Sequence, residues 1–209
     1  MAALACCDLV VAVLGAIARR RLPVKYLFAL PIASLAIQLP TSVGAAGITY
    51  DCDTAANHFS ELVLPAPAGP FTVTGNVQLL ALAEVTKYAP LARVQIASAT
   101  EPGQSPASFA GVSVTALPAD ARKTPSGSPA IQMVAFNATG KEDDVVPLST
   151  LAKPGGTQSF SLSFDGRNVL AAIANERRNL SVSASAPVVR LICSTGEFLF
   201  TNIAIQPSK

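Results

Sequence analysis

Phe71-Thr72-Val73-Thr74-Gly75-Asn76-Val77-Gln78-Leu79 alternates strictly, with polar side chains on the even positions. A period of two sets one side of an extended strand against a core and the other in water. Ser159 to Phe164 alternates in the same way, and Asn168 to Ile173 alternates back. Asp165-Gly166 between them supplies the two residues of a type I′ turn, so this segment predicts a β-hairpin. Arg93 to Ala97, Leu180 to Ser183, Val188 to Cys193 and Phe198 to Ile205 predict further short strands, with Gly196 as the turn before the last. Ile131 to Phe136 is apolar on nearly both faces, which predicts a central strand. Within Phe109 to Leu117, Val112 and Val114 share a face, and Gly111 predicts a bulge that shifts Phe109 out of phase. Ala171 to Arg178 fits either a long return strand or a helical turn.

Polar and proline-rich stretches punctuate these runs. Glu101 to Pro106 predicts a turn, Ala119 to Pro129 a polar loop, and Lys141 to Gly156 a loop closed by Pro154-Gly155-Gly156. Pro65 to Pro70 predicts a stiff connector ahead of the first clear strand. The result is about nine or ten short strands, with no long amphipathic helix and no repeat. The fold class that follows is all-β, an antiparallel sandwich or barrel.

The first 46 residues have a different pattern. Lys25 is followed by an apolar run from Tyr26 to Leu39, then Pro40 and the small-residue tract Val43-Gly44-Ala45-Ala46. That is the charged, apolar and cleavage order of a secretory signal, with cleavage near Ala46. The run is about 14 residues, short of the roughly 20 that span a bilayer. Met1 to Val24 adds a shorter apolar run and then Arg19-Arg20-Arg21. Two starts fit: a valine-type start at Val24, as in a bacterium, or one long signal from Met1. The expected organisation is a signal peptide over 1–46 and a single β-sandwich domain over 47–209, with no membrane span in the mature chain.

Composition narrows the partners. Half of the 209 residues are hydrophobic and 13% are charged, so the body of the chain is expected to fold. The net charge is only +2, and no Lys/Arg stripe is present to neutralise a phosphate backbone. Nucleic acid is therefore excluded as a partner. Beyond the signal only Cys52 and Cys193 remain. An even count in an exported chain predicts a disulfide, here closing a loop of about 140 residues and setting the first and last strands side by side. Two cysteines and one distant histidine do not fill a tetrahedral metal site.

The span from Phe160 to Ile173, with its F-x-L-x-F-D-G order, resembles the ligand-face hairpin of the laminin G-like and concanavalin A-like jelly rolls. The ending Gly196-Glu197-Phe198-Leu199-Phe200-Thr201-Asn202-Ile203-Ala204-Ile205 is similar to their closing strand. The resemblance covers about half of the mature chain and implies a jelly-roll β-sandwich. It implies no activity, because lectins, glycosidases and adhesion modules share that fold.

Candidate chemistry is sparse. The single histidine, His58, has Asp51, Asp53 and Glu61 near it in sequence but no nucleophile in a recognisable turn. Predicted strand interiors are almost free of Asp and Glu, which disfavours the facing carboxyls of a glycosidase. Glu142-Asp143-Asp144 is the one dense acidic cluster and the only calcium candidate. Three adjacent acids do not all converge on one ion, so a solvated loop is the plainer reading. Sugars stack on aromatic faces, yet the chain has no Trp, and after the signal only Tyr50 and Tyr88 remain beside phenylalanines mostly at core-parity positions. Arg177-Arg178 reads as a polar turn. Asn137-Ala138-Thr139 and Asn179-Leu180-Ser181 match glycosylation acceptors, relevant only in a eukaryotic secretory pathway.

The expectation is a secreted or periplasmic, non-enzymatic β-sandwich with a structural or binding role and no cofactor beyond the calcium candidate. Its partner would be a surface glycan or an envelope protein. The alternative is a lectin-like glycan- or protein-binding module, and a glycoside hydrolase-like enzyme ranks third.

Overall fold

A computed structural model describes residues 47–82, 88–101, 104–117, 130–139, 143–152 and 155–208. The segment over 1–46 expected to be a signal and the whole of the loop expected at 119–129 lie outside these residues. The described chain forms ten strands: β1 (Ile48–Pro65), β2 (Phe71–Leu82), β3 (Leu91–Ser98), β4 (Ser108–Leu117), β5 (Ala130–Thr139), β6 (Asp143–Ala152), β7 (Thr157–Phe164), β8 (Asn168–Ile173), β9 (Glu176–Ser181) and β10 (Pro187–Pro207). Every pairing is antiparallel.

One hydrogen-bonded sheet folds over on itself. The first part of β10, Pro187–Ser194, pairs with β3, and the second, from Gly196 on, pairs with β2. β1 follows the same bend, with Phe59–Pro65 on the first part of β10 and Ile48–Thr54 on the second. Two layers result. Sheet A runs β6-β5-β4-β3-β10-β1 and sheet B runs β9-β8-β7-β2-β10-β1, sharing β10 and β1 at the corner. The layers meet where β4 packs on β8 and β5 on β9. Alternate positions of each strand fill the space between: Val94 and Ile96, Val112 and Val114, Val73 and Val77, Phe160 and Leu162.

The disulfide expected from the cysteine count joins Cys52 of β1 to Cys193 of β10, with Cα atoms 6.3 Å apart and both side chains buried. It closes the corner where both strands change sheets, and the first and last strands are neighbours as expected.

Several local expectations change. No alternation marks β1 as a strand, and the first clear strand read from the pattern is Phe71 to Leu79. β1 edges both sheets and has a break in register between Thr54 and Phe59, so it shows no sustained alternation. Gly196 is not a turn, because β10 runs through it and bends at Thr195, whose φ is 55°. Glycine is needed there because a Cβ would lie 2.8 Å from the Ala81 carbonyl oxygen. Nor does Gly111 mark a bulge, since β4 pairs in unbroken register with β3 and β5. A Cβ at Gly111 would sit 2.0 Å from the Val94 carbonyl oxygen, so close backbone approach demands the glycine. Most of the loop expected over 141–156 is β6.

The β7–β8 hairpin forms, but its turn lies one residue further on. Phe164 pairs with Val169, and the Asp165 N–H donates to the Asn168 carbonyl at 3.1 Å. Gly166 and Arg167 are then the loop, with Gly166 at φ 106°, the glycine-first pattern of a type II′ turn. The Asp165 carboxylate accepts from the N–H groups of Arg167 and Asn168 at 2.8 and 2.7 Å. The Asn168 N–H, with that of Arg167 and the Asn168 amide, holds the carboxyl below the ordinary Asp range. Ala171 to Arg178 resolves to a second tight hairpin, in which Ile173 pairs with Glu176 around Ala174 at φ 49°.

The outer edges of the two sheets are tied by side chains. Glu176 of β9 accepts from the hydroxyls of Ser149 and Thr150 on β6, the latter at 3.0 Å. Those two hydroxyls, with help from Arg178, lower the Glu176 pKa.

Candidate functional site

The outer face of sheet A is built from paired rows. One runs Phe59, Ser194, Leu91, Thr115, Gln132 across β1, β10, β3, β4 and β5. The next runs Glu61, Ile192, Arg93, Ser113, Val134. A third runs Val63, Arg190, Gln95, Gly111, Phe136, Val145. Strand twist curves such a face, and a cleft of about 670 Å³ opens over parts of all three rows. Asn57, His58, Phe59 and Tyr88 stand around it together with Leu117.

The floor is mixed. Leu91, Ile192, Val134 and Phe136 supply apolar surface, and Ser113, Thr115, Gln132 and Ser194 supply hydroxyl and amide groups. Arg93 is the only side chain of fixed charge among the described lining residues. Its guanidinium carbon lies 4.3 Å from the Phe136 ring centroid, a cation–π contact that holds the cation in the floor through its charge. Phe136 in turn packs against Phe109 at 5.8 Å between centroids. Gly111, directly opposite Phe136, presents no side chain between Arg93 and the ring.

The corner shapes one wall. Four residues of β1, Ala55 to His58, face the single Thr195 of β10, and Asn57 has φ 64°. The Asn57 N–H donates to the Thr195 hydroxyl at 3.2 Å, and its side-chain oxygen accepts from the Tyr88 N–H at 3.3 Å. Thr54 adds a hydroxyl bond to the Gly196 carbonyl at 2.9 Å. These contacts set His58 and Phe59 on the rim, with Phe59 74% exposed. Tyr88 is 49% exposed.

Beyond the cleft, Arg190 and Glu61 meet through two hydrogen bonds, Nε to Oε1 and Nη2 to Oε2, the second at 2.7 Å. Glu61 is thereby committed to Arg190 and is not a partner of His58. Asp51 and Asp53 stand exposed on β1 before the corner, so the acids near His58 in sequence do not gather around it. Asp144 is exposed at the start of β6, a strand edge rather than a loop. The backbone of Asp143 pairs with Ala138, and Glu142 lies outside the described residues. Among the described residues no group of three His, Cys, Asp or Glu stands together. Tyr50 stacks on Phe200 beside the core instead of facing a ligand. Arg177 and Arg178 lie on β9, not in a turn, and Asn137 donates from its amide to the Ser181 carbonyl at 3.1 Å.

Of the cleft residues the sequence singled out His58, as the lone histidine, and Tyr88, as one of two tyrosines after residue 46, but not the floor. Arg93, Ser113, Thr115 and Gln132 occupy the polar phase of their strands and read as an ordinary wet face. Phe59, Phe109 and Phe136 depart from the core-parity expectation for phenylalanine. The hairpin likened to a ligand face lies in sheet B, away from this cleft. A second groove of about 620 Å³ runs beside its tip, between Gly166–Asn168 and Ser181–Ser185.

No protein-family model and no curated protein matches the chain. Solved structures do. A carbohydrate-binding module from Bacillus subtilis, CBM66, superposes with a TM-score of 0.50 at 8% identity, covering 78% of this chain and 97% of that one. The fold is that of the jelly-roll β-sandwiches. A human galectin-16 variant gives 0.44 at 8% identity over 71% of this chain and 95% of that one. Domains LG4–5 of the mouse laminin α1 chain give 0.41 at 14% identity over 83% and 46%. Among the described residues, no helix of this jelly roll is long and apolar enough to cross a membrane.

Proposed function

We propose that the protein is an exported, non-enzymatic binding module that holds its ligand in the cleft on the outer face of sheet A. The observation that carries this reading is the cleft itself. Its size falls within the range of small-molecule sites, with polar groups from four strands converging on an apolar floor. The buried Cys52–Cys193 disulfide supports an oxidising compartment, outside the cell or in the periplasm. The described lining has no carboxylate pair, which supports binding over glycoside hydrolysis.

The neutral fluorophore N-phenyl-1-naphthylamine tests the site. One-to-one saturable binding is expected, and Thr115→Trp, which puts an indole into the cleft, should abolish it while keeping the far-UV β spectrum. Absence of saturable binding, or equal binding by the folded variant, overturns the reading.

A lectin-like role for the same cleft is favoured by the row Ser194, Thr115 and Gln132 beside the half-exposed Tyr88 ring, since sugars need hydrogen bonds next to an aromatic face. Capture on a glycan array that Thr115→Trp removes is its test.

A further inference from the structure

We infer that the cleft takes a dispersed amphiphile with one unbranched hydrocarbon chain, the chain lying across the strands of sheet A from Phe59 to Val145. The inference rests on the reading of this cleft as the binding site. It is carried by the direction in which the cleft runs. The lining comes from all six strands of the sheet, β1, β10, β3, β4, β5 and β6, which are neighbours in that order. Five steps between strands, each about 4.8 Å, make the track about 24 Å long. A volume of about 670 Å³ spread over about 24 Å leaves a mean cross-section of about 28 Å². The space is long and about one polymethylene chain wide.

Phe59, Ile192, Leu91, Val134 and Val145, from five different strands, give the track an apolar surface. Its two ends stand furthest into water, with Phe59 74% and Val145 59% exposed. Large apolar side chains held in water around a groove mark surface that a partner covers. A chain laid from one to the other covers both, and its polar head stays in solvent past either end. An extended peptide suits the track less well. It docks through main-chain bonds at a sheet edge, whereas the strands beneath this track already pair with one another. A glycan needs hydrogen-bond partners along its whole length. Here Ser194 already donates to the Ala89 carbonyl at 3.3 Å, and Ser113 is almost fully buried. A hydrocarbon chain needs none, and each methylene laid on the floor adds to binding.

The experiment is displacement of N-phenyl-1-naphthylamine from the mature disulfide-bonded protein by lysophosphatidylcholines. Chains of ten, twelve, fourteen and sixteen carbons are compared, each below its micelle concentration. Affinity is expected to rise about two- to fourfold per added methylene through the whole series. A compact pocket stops gaining once a short chain has filled it, so a gain that ends at ten or twelve carbons overturns the inference. Failure of all four lipids to displace the fluorophore overturns it as well. Phe59→Ser and Val145→Ser, both at exposed positions, trim the two ends of the track. Each should weaken the sixteen-carbon chain by about fivefold. The ten-carbon chain, too short to reach both ends, should respond to at most one of them. Sixteen-carbon binding that neither variant changes overturns the inference, and so does binding to phosphatidylcholine vesicles without binding to dispersed lipid. In each such case saturable binding of the fluorophore itself decides separately whether the cleft reading stands.

Discussion

The backbone N–H of Asn57 donates to the Thr195 hydroxyl at 3.2 Å, and both residues sit in the left-handed region, with φ of 64° and 55°. Neither is glycine, so each carries a conformational cost on the order of 1 kcal/mol. Surrounding contacts hold them there. Thr54 bonds to Gly196, and the disulfide joins β1 to β10 beside the bend. The corner that lets two strands serve both sheets is the same one that lifts His58 and Phe59 onto the rim of the cleft.

Removing the disulfide should therefore be costly. Cys52 and Cys193 are 141 residues apart, and in the chain-entropy model such a closure removes about 4–5 kcal/mol from the unfolded state. Cys52→Ser with Cys193→Ser is expected to lower the urea midpoint by a corresponding amount without changing the β spectrum. Paired denaturant titrations with and without reductant measure it. A loss below about 1 kcal/mol means that the corner holds without the sulfurs.

Glu61→Ala leaves Arg190 in a largely buried position without its carboxylate, and a loss of about 2–3 kcal/mol is expected. Replacing both with methionine should recover much of that loss, because apolar side chains of similar volume carry no desolvation penalty. A double-mutant cycle in urea reads the coupling directly.

Gly111→Ala should destabilise by about 2–3 kcal/mol, since its Cβ would be driven into the Val94 carbonyl and the Gln95 Cα. Gly69→Ala is the control. It has open space around it and only the positive φ of 83° to resist the substitution, so about 1 kcal/mol is expected. Equal thermal shifts for the two would contradict the close-approach explanation.

Acid should loosen the hairpin turn and the seam between the sheet edges together. Asp165 and Glu176 have folded pKa values below their unfolded ones, the first through backbone N–H donors and the second through the hydroxyls of Ser149 and Thr150. A depressed carboxylate contributes fully above its unfolded pKa, near 4. That contribution is lost as pH falls through the folded pKa. Melting temperature should therefore fall below about pH 4, and Asp165→Asn with Glu176→Gln should flatten that limb. Melting curves recorded from pH 7 down to pH 2.5 provide the check.

Strand content was legible wherever one face of the chain met the core and the other met water. Phe71 to Leu79 and Ser159 to Ile173 are read correctly for that reason, since a period of two needs no partner to be visible. β1 escaped because its burial changes sheets midway, and β6 because Asp143-Asp144 and Pro147 make an edge strand look like a loop. The turn at Gly166 shifted by one residue because Asp165 spends its carboxylate on the turn's own N–H groups.

From the sequence by itself came the all-β class, resting on local periodicity, the pairing of two distant cysteines, resting on a count, and the jelly-roll expectation, resting on a resemblance. Tertiary structure alone decided the cleft. Arg93, Thr115, Gln132 and Ile192 lie on four different strands, and their register across those strands sets them together. A wet face written in one strand at a time does not say which neighbours it will have, because strand order is settled by the whole core and not by any segment.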